Sequence, residues 1–463
     1  MRRKRHNGLM RSHSSSTGIP AQWQNWAGNV TARPRRVASP GTAQEVADEV
    51  RRAGADGLTV RMTGTGHSFT PAAVTDGVML RPGRLTAIRS VDAAAGLVTV
   101  EAGCPLQVLN AELLARGLAL ANMGDIQVQT VAGAIQTGTH GTGRDIGGIA
   151  AQVAALELVL ADGSIVTCSA DSPAGSPAAL AARTGGASLF DAARVGLGAL
   201  GVITAVTFRV VPAFLLEARE EPMQWADVIS KLDELTGDNE HFEFFWFPHS
   251  EGCLTKRNNR ASGPPRPLPR WRYWLDDEFL SNTVFGATCY LGRLLPAAIP
   301  VVNGAAARAL GSRSYVDAAY RVFTSPRRVR FKEQEYAVPR CALADVLAEV
   351  RSLFTRRDWR ISFPIEVRVT PPDDAWLSTA YGRDTAYIAI HVFHSAPHEE
   401  YFRDVEAVMT AVSGRPHWGK MNTANADYLA GVYPRLSDFT ALRDALDPER
   451  RFGNQYLTRV LGS

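Results

Sequence analysis

The sequence predicts an α+β protein of two to three structural units. Its 463 residues exceed the roughly 250–300 at which a single core stops growing. With 45% hydrophobic and 21% charged residues, its composition is that of a soluble globular protein. Short strands and glycine-rich loops dominate the first half, whereas aromatic strands and helices dominate the second. The two halves are therefore expected to form domains of different architecture.

Residues 1–18 form a basic, serine-rich tail that we expect to be a disordered extension. Its first eleven residues carry five Lys and Arg side chains, more than the formal net charge of +4 of the whole chain. The remaining chain is close to neutral, and it lacks the sustained basic face typical of nucleic-acid binding. We therefore expect no nucleic-acid partner.

The sequence favours a cytoplasmic location. Arg2-Arg3 resembles the start of a twin-arginine signal, but polar residues 13–17 follow before any apolar stretch. The five cysteines are widely spaced and never form a Cys-x-x-Cys pair. This spacing supports neither a disulfide framework nor a zinc site, and it fits a reducing compartment.

Residues 284–310 are the most membrane-like segment of the chain. Arg293, Pro296, Pro300 and Arg308 interrupt it, whereas a bilayer span takes about 20 mostly apolar residues. We expect this segment to pack as a cap helix and loop, with no transmembrane segment. Peripheral contact with a membrane surface is the alternative.

The first domain is predicted to cover residues 19–212. It begins with a helix over residues 42–53, with Thr42 as its N-cap, and a short strand over residues 58–62. That strand leads directly into a glycine turn, residues 63–68. Further along the chain we expect a strand at 97–102, a helix at 106–116, a hairpin of 153–160 with 164–168, and a strand at 202–210.

A long loop rich in Gly and Thr, residues 123–148, interrupts this pattern. Loops of this length inside a compact domain are usually functional. Its many backbone N–H groups and hydroxyls suit contact with one extended ligand. A second glycine pattern, Gly196-x-Gly198-x-x-Gly201, follows a predicted helix and precedes a strand. Because a dinucleotide fingerprint requires the opposite order, this pattern argues against nicotinamide binding.

The second domain is predicted to cover residues 213–416 as an α+β substrate domain. Aromatic strands are expected at residues 241–247 and 387–393. Glu366 and Arg368 lie two positions apart, so on a strand they share one face. His391 and His394 would fall on opposite faces of a strand, and Pro397 opposes a helix, so no metal site is predicted there.

His67 stands at the tip of the first glycine turn. A lone loop histidine is usually structural or solvated. The loop of residues 123–148 lies about 60 residues downstream, however, as expected if two backbone cradles hold the pyrophosphate and isoalloxazine of one flavin. The pair of loops therefore indicates a flavin site.

Two motifs carry a family resemblance: residues 61–70 (RMTGTGHSFT) and 129–143 (QTVAGAIQTGTHGTG). They resemble the aldonolactone oxidoreductases of the vanillyl-alcohol oxidase superfamily, which include L-gulonolactone, D-arabinono-1,4-lactone and alditol oxidases. C-terminal motifs occur in the same order as in that family: Glu366-Val367-Arg368, residues 417–420, Asp447-Pro448 and residues 452–457. The resemblance extends over nearly the whole chain beyond the tail.

The resemblance implies a two-lobed FAD-binding domain of the vanillyl-alcohol oxidase type (PCMH-type) with an α+β substrate (cap) domain. It also implies that residues 417–463 return to the flavin site and that His67 carries FAD covalently through the 8α-methyl group. The implied cofactor-binding residues are Arg61, Thr63, Gly64, Thr65, Gly66, His67, Ser68, Phe69, Gly124, Asp125, Thr130, Gly133, Ala134, Thr137, Gly138, His140, Gly141, Val202, Ile203 and Lys420.

For catalysis, the resemblance implies that Glu366 and Arg368 position the substrate beside the flavin. Hydride transfer leaves negative charge toward flavin N1 and the C2 carbonyl, which a fixed cation at Lys420 stabilises together with Arg368. His391 is a candidate acceptor of the hydroxyl proton. Asn422 departs from the family pattern, because many relatives carry a histidine there.

The implied reaction is FAD-dependent oxidation of a sugar-derived alcohol or an aldono-1,4-lactone, of the D-arabinono or L-gulono type, on an ascorbate-like pathway. Dioxygen is the expected acceptor. The alternatives are an alditol oxidase, a dehydrogenase that uses a non-oxygen acceptor, and a non-catalytic flavin-binding protein. Cys104 bears on the acceptor, because its bulk near the flavin would hinder dioxygen.

Overall fold

The computed structural model describes residues 22–176 and 179–463. The predicted tail and residues 19–21 lie outside these ranges. The strands are Trp23–Gln24 (β1), Thr31–Ala32 (β2), Arg36–Ala38 (β3), Val60–Met62 (β4), Val78–Leu80 (β5), Ile88–Asp92 (β6), Leu97–Glu101 (β7), Leu118–Ala119 (β8), Val153–Val159 (β9), Ile165–Ser169 (β10), Val202–Arg209 (β11), Val211–Pro212 (β12), Leu215–Gln224 (β13), His241–Trp246 (β14), Gly252–Ala261 (β15), Arg313–Ala318 (β16), Phe331–Pro339 (β17), Ile365–Thr370 (β18), Thr385–Phe393 (β19) and Arg415–Pro416 (β20).

Sixteen α-helices are found in the described ranges, with a π-helical segment, Trp274–Val284, after the eighth. They are Ala43–Ala55 (α1), Leu106–Ala115 (α2), Val131–Gln136 (α3), Ala179–Arg183 (α4), Leu189–Ala193 (α5), Trp225–Ser230 (α6), Leu232–Gly237 (α7), Arg270–Tyr273 (α8), Phe285–Leu294 (α9), Ile299–Ala309 (α10), Ala319–Phe323 (α11), Leu343–Arg356 (α12), Glu399–Ala411 (α13), Ala426–Val432 (α14), Leu436–Leu446 (α15) and Gln455–Leu461 (α16).

Two larger sheets, with the two-stranded pairs β1-β2 and β8-β12 beside them, build the first domain. Strands β3, β5 and β4 form a parallel sheet, and β10, β9, β11, β7 and β6 pair in that order as an antiparallel sheet. Helix α1 packs its buried side, which includes Val46 and Val50, into one core with Val60 of β4. Its predicted N-cap is confirmed, because the Thr42 side chain accepts a hydrogen bond from the Glu45 backbone N–H.

An eight-stranded sheet forms the second domain, in the order β16-β13-β15-β14-β18-β19-β17-β20. Strand β13 begins three residues after residue 212, so we keep that position as the proposed domain boundary. One row of paired residues crosses five neighbouring strands with alternating charge: Arg368, Glu243, Lys256, Glu220 and Arg313. Opposite charges on neighbouring strands attract one another, so each neighbouring pair in this row is stabilising.

The C-terminal residues pack back onto the first domain. Buried Trp418, Phe439 and Val460 belong to the same hydrophobic core as Val98 and Leu156 of the five-stranded sheet. Burial of such large side chains stabilises the contact by about 1.5–3 kcal/mol each. This packing brings residues 417–420 to the first domain's glycine turn.

The structure corrects two local predictions. Residues 123–148 are not one continuous loop, because helix α3 forms within them; Thr130 caps it by accepting a hydrogen bond from Gly133 N–H. The strand expected at residues 58–62 is shorter and begins at Val60. The predicted order of elements around the second glycine pattern is confirmed, since helix α5 precedes Gly196 and strand β11 follows Gly201.

Residues 270–309, which we call the helical insert, connect β15 to β16. Cys289, Gly292, Ile299 and Asn303 are buried, so α9 and α10 form as a cap over the sheet. Many of the insert's apolar side chains are nevertheless exposed. Within the described ranges, every helix is too short or too polar to cross a membrane.

Candidate active site

Two adjoining cavities share the side chain of His67. The larger, of about 530 Å³, lies between the loops of the first domain and the charged face of the eight-stranded sheet. The smaller, of about 110 Å³, runs between the glycine turn, helix α3 and the loop before β11. Ser68, Gln129 and Thr137 also line both cavities. The glycine turn therefore lies where the two cavities meet.

The two predicted cradles come into direct contact. A Cβ atom on Gly64 would lie 2.9 Å from Thr130 Oγ1, and one on Gly133 would lie 2.8 Å from the same oxygen. Gly66 has a φ of +78°, a backbone conformation that favours glycine. Glycine therefore stands where the two loops approach too closely for a side chain, and where the turn requires a positive φ.

The backbone on either side of His67 is hydrogen-bonded to two distant segments, one near the N-terminus and one near the C-terminus. Trp26 N–H donates to Gly66 O at 2.8 Å, and Phe69 N–H donates to Gly419 O at 2.7 Å. The His67 ring stacks on Trp26, with 5.4 Å between the ring centroids. Burial, with a smaller contribution from the Lys420 charge, lowers the pKa of His67 to about 4. The imidazole is therefore neutral at neutral pH.

Arg61 ties the glycine turn to the rest of the first domain. Its guanidinium donates to the carbonyls of Gly198 at 2.9 Å, Phe452 at 2.8 Å, and Ala72 and Leu197 at 2.5 Å each. Burial lowers its pKa to about 10, so the side chain remains charged at neutral pH. Arg61 lines the smaller cavity, but its described hydrogen bonds hold backbone rather than face open space.

The predicted cofactor-binding residues divide by position. Those lining the smaller cavity are Arg61, Gly64, Thr65, Gly66, His67, Ser68, Thr130, Gly133, Thr137, Val202 and Ile203. Phe69, Gly124, Asp125, His140 and Lys420 line the larger one. Four others line neither cavity: Thr63, Ala134, Gly138 and Gly141. Gly141 has a packing role, because a Cβ there would lie 2.1 Å from Met123 O.

Glu366 and Arg368 share one face of β18 and form a buried ion pair on the larger cavity, as their spacing predicts. Arg368 Nε also donates to Glu243 Oε2 at 2.8 Å. Asp125 Oδ2 lies 3.8 Å from Arg368 and accepts from Arg327 at 2.7 Å. Three carboxylates thus face two guanidinium groups.

The pKa values within this group diverge. Burial raises the pKa of Glu366 to about 7, and it outweighs the opposing charge of Arg368. For Asp125, burial is the largest influence and would raise the pKa, but Arg327 and Arg368 together hold it well below its usual range. One carboxyl is therefore poised to exchange a proton near neutral pH while its neighbour stays ionised.

Lys420 reaches the same cavity from the C-terminal segment. Its ammonium pairs with Glu333 and lies 5.4 Å from the centre of the Phe69 ring. Burial would lower its pKa, but the charge of Glu333 keeps it above the ordinary value, so the side chain is a permanent cation. Glu333 Oε1 also lies 3.4 Å from His391 Nε2, and Pro364 O lies 3.3 Å from His391 Nδ1. Both ring nitrogens of His391 therefore face oxygen atoms.

A third cluster joins His140, Glu335 and His417, whose potential ligand atoms lie within 4.8 Å of one another. Hydrogen bonds argue against metal coordination. His417 Nδ1 accepts from Gly419 N–H at 3.1 Å, which leaves the proton on Nε2. His140 Nδ1 lies 2.9 Å from Gly141 O, and its Nε2 lies 3.3 Å from Glu335. We interpret the cluster as a hydrogen-bonded wall of the cavity.

Sequence reasoning missed several charged residues of the site. Glu333 and Glu335 lie two apart on β17 and face the cavity, whereas Tyr336 and Val338 point into the core. The signal was there in the alternation of FKEQEYAVP, which places two carboxyls on one face of a strand. Arg327 carries no such pattern, since it lies in an irregular segment before β17.

The chemistry of these residues fits a flavin dinucleotide. The smaller cavity presents loop backbone and glycine contacts, as a pyrophosphate requires. Gln129 lines both cavities, and its buried Oε1 has no hydrogen-bond partner among the described residues. That oxygen is available to a ligand donor, and Lys420 supplies a fixed cation at the cavity wall.

Comparisons with known proteins identify the family of the chain. A family model for D-arabinono-1,4-lactone oxidase matches residues 206–460, and one for an FAD binding domain matches residues 34–169. The chain is 41% identical to L-gulono-1,4-lactone dehydrogenase of Mycobacterium tuberculosis over 95% of this chain and 99% of that protein. It is 32% identical to L-gulonolactone oxidase of Bos taurus, over 95% of this chain and 98% of that protein.

Alditol oxidase of a Streptomyces species is also 32% identical, over 94% of this chain and 98% of that protein. Cholesterol oxidase from B. sterolicum has the same fold, with a TM-score of 0.77 at 18% identity over 96% of this chain and 97% of that chain. These findings confirm the predicted fold class, a vanillyl-alcohol oxidase type FAD-binding domain with an α+β cap domain. The chain therefore belongs to the D-arabinono-1,4-lactone oxidase family of FAD-dependent oxidoreductases.

Proposed function

We propose that this enzyme oxidises a sugar-derived alcohol or an aldono-1,4-lactone of the D-arabinono or L-gulono type. The observation that carries the proposal is the buried Glu366–Arg368 pair, which faces the cavity that also contains His67 and Lys420. A carboxyl and a guanidinium on one face supply acceptors and donors for a polyhydroxylated substrate. The names of the relatives in the family support this substrate class.

FAD, when bound, accepts the hydride that leaves the substrate carbon. The chain's own residues prepare that transfer. Arg368 holds the substrate oxygen, and Lys420 places a permanent positive charge where negative charge develops. Glu366 takes the hydroxyl proton, because a pKa of about 7 leaves much of it ionised at neutral pH and able to accept a proton.

His391 is the alternative proton acceptor. It lines the cavity, but its ring nitrogens lie 3.3–3.4 Å from Pro364 O and Glu333 Oε1. Because both ring nitrogens already face oxygen atoms of the protein, neither is directed at a substrate hydroxyl. We therefore assign His391 to orienting Glu333 and, through it, Lys420.

We also propose that FAD is covalently attached to His67. The low pKa of His67 leaves its imidazole neutral, with a nitrogen lone pair that would bond to the flavin 8α carbon. That bond would replace a C–H bond of the 8α-methyl group, whose proton is lost to solvent. The flavin ring itself would take up the two electrons, and the electron acceptor of the enzyme would then remove them. Among the described residues, neither ring nitrogen makes a hydrogen bond, so nothing competes for that lone pair. Stacking on Trp26 fixes the plane of the ring.

Dioxygen is the proposed acceptor of the electrons, with a non-oxygen acceptor as the second candidate. Cys104 is fully buried, accepts a backbone hydrogen bond from Val131 N–H at 2.9 Å, and lines neither cavity. Its bulk is therefore not an argument for the dehydrogenase. The similarity to a protein named as a dehydrogenase supports the second candidate. Hydrogen peroxide formed in proportion to product would establish the oxidase.

For the cellular setting, we propose a cytoplasmic enzyme that contacts a membrane surface peripherally. Its other proposed partners are the sugar lactone or polyol and the electron acceptor.

Anaerobic titration of the purified holoenzyme with a panel of aldonolactones and alditols tests the proposed reaction. A lactone or alditol that bleaches the flavin absorbance supports it, and Lys231→Met, at an exposed lysine, should bleach like the wild type. A panel that leaves the flavin oxidised, while dithionite reduces it, would contradict the proposed substrate class. Acid precipitation followed by peptide mapping tests the covalent bond: flavin on the peptide containing His67 is expected, and free flavin in the supernatant would disprove it.

A further inference from the structure

The helical insert carries most of the exposed apolar surface of the described chain. Eleven of the fourteen exposed large hydrophobic side chains lie there, and only Val108, Val128 and Ile165 lie elsewhere. The eleven are Trp271, Tyr273, Trp274, Phe279, Leu280, Val284, Tyr290, Leu291, Leu294, Leu295 and Val301. Isolated exposed hydrophobic residues are ordinary, but such a concentration marks an interaction surface.

Much of this surface faces away from the active site. Trp271 is 67% exposed, Leu294 is 59% exposed and Val301 is 74% exposed, and none of them lines either cavity. Their exposure therefore does not arise from the space that substrate and flavin would fill. Leu280 and Val284, in contrast, also line the larger cavity. The outer apolar surface thus adjoins the rim of that cavity.

Unpaired positive charge occurs in the same part of the chain as the exposed apolar side chains. Five exposed arginines lie in or beside the insert, and none has a carboxylate within 4 Å among the described residues: Arg266, Arg270, Arg293, Arg308 and Arg330. The insert's acidic side chains, in contrast, are neutralised. Asp276 and Asp277 pair with Arg313, and Glu278 pairs with Arg328. The surface is therefore both apolar and basic.

We propose that the helical insert docks onto a lipid bilayer that contains anionic phospholipids. Trp and Tyr are the residue types enriched at membrane interfaces, and apolar side chains can enter the acyl region beneath the headgroups. Arginines pair with phosphate through several donors at once. Each basic residue near an anionic membrane surface contributes about 1 kcal/mol of attraction, a fivefold change in affinity.

The charge pattern favours a bilayer over a second copy of this chain. In a two-fold symmetric dimer the same patch occurs on both subunits, so the five arginines would face a like-charged patch. An anionic membrane supplies the opposite charge over the whole surface. The docking deepens the peripheral contact proposed above and does not depend on the proposed oxidation.

Vesicle flotation of the full-length holoenzyme tests the docking. The probes are vesicles of phosphatidylcholine alone and vesicles with about 30% phosphatidylglycerol. Binding is expected to the anionic vesicles, to weaken at high salt as exposed charges are screened, and to be far weaker to neutral vesicles. Brominated lipids should quench tryptophan fluorescence on binding, and Trp271→Phe with Trp274→Phe should remove most of that quenching while binding persists.

Two sets of substitutions separate the electrostatic contribution to vesicle binding from the apolar contribution. Arg270→Gln, Arg293→Gln and Arg308→Gln together should lower the affinity for anionic vesicles on the order of 100-fold. Trp271→Ser, Trp274→Ser and Leu294→Ser should abolish the binding that remains at high salt. Val108→Ser with Arg52→Gln changes equivalent exposed residues outside the insert and should leave binding unchanged.

Melting temperatures and flavin absorbance identify any variant that fails to fold. Equal binding to neutral and anionic vesicles, or wild-type binding by both insert variants, would overturn the proposal. So would a lack of binding to the anionic vesicles. In that case, a dimer in analytical ultracentrifugation that the Trp271→Ser set dissociates would assign the surface to a second copy of the chain. Because flotation measures no turnover, failure of the docking can be distinguished from failure of the proposed oxidation.

Discussion

Glu366 and Arg368 lie two residues apart on β18 and form a buried ion pair, yet the pKa of Glu366 is raised to about 7. Burial disfavours the carboxylate, and the charges of Asp125 and Glu243 act in the same direction. Arg368 is shared with Asp125 and Glu243, and its charge does not offset the burial of Glu366. Glu366 therefore gains and loses its proton near neutral pH.

This ionisation should govern the rate of flavin reduction. The rate of anaerobic reduction by substrate is expected to rise with pH and level off above about 7, because only ionised Glu366 accepts the hydroxyl proton. Glu366→Gln should lower the rate by about 10²–10⁴-fold and abolish the inflection. Stopped-flow absorbance measures both. If the inflection persists in Glu366→Gln and disappears in His391→Asn, His391 is the proton acceptor.

The same ionisation should affect folding stability. The pKa of Glu366 is about 7 in the folded state and ordinary when unfolded, so the folded state binds the proton more tightly. The resulting stabilisation is present at low pH and is lost as pH rises from about 4.5 to about 7. Relative to Glu366→Gln, the wild type should lose on the order of 3 kcal/mol across this window. Parallel curves of melting temperature against pH for the two proteins would contradict this.

Lys420 should contribute to the transition state more than to folding. Lys420→Met removes a half-buried cation from the cavity and leaves Glu333 with His391 as its remaining partner. We expect flavin reduction to slow by about 10²–10³-fold, the magnitude typical for loss of one electrostatic stabiliser. Lys231→Met, at an exposed lysine, is the matched control. A Lys420→Met enzyme that reduces its flavin at the wild-type rate would remove Lys420 from the catalytic group.

Arg61 should contribute to the folding stability of the protein rather than to the rate of flavin reduction. Arg61→Met removes the guanidinium donor of the Leu197, Gly198 and Phe452 carbonyls, whereas the Ala72 carbonyl keeps Asn454 as a donor. Burial makes the unpaired carbonyls costly. The expected loss is about 3 kcal/mol or more, seen as a melting temperature lower by at least about 5 °C. Arg52→Met, exposed in the last turn of α1, should melt like the wild type. Equal melting temperatures for both variants would show that water replaces the guanidinium.

Contact between the two glycine loops should control flavin content. Gly64→Ala places a methyl group 2.9 Å from Thr130 Oγ1, which caps helix α3. The loops must separate, so we expect less flavin per polypeptide, measured by the absorbance ratio after purification. Gly83→Ala has open space around its new methyl group and should retain the wild-type ratio. An unchanged ratio in Gly64→Ala would mean that the hydroxyl moves aside without disturbing the cradle.

Local patterns in the sequence determined much of the fold and part of the site. Capping by Thr42, the hairpin of β9 and β10, and the shared face of Glu366 and Arg368 all follow from interactions within a few residues. Periodicity and hydrogen-bonding preferences act at that range, so they can be recognised in sequence. The resemblance carried by the family motifs further predicted that the protein binds FAD, and it indicated which residues along the chain contribute to the site.

Only the tertiary structure decided which distant residues share the cavity. Glu333 and Lys420 are 87 positions apart, and their ion pair exists because the C-terminal segment buries Trp418 in the first domain's core. The tertiary structure also placed the apolar side chains of the insert outside, although their sequence alone favoured a packed cap. Both outcomes depend on which surfaces the rest of the chain can bury, and that balance of desolvation and packing is set over the whole molecule.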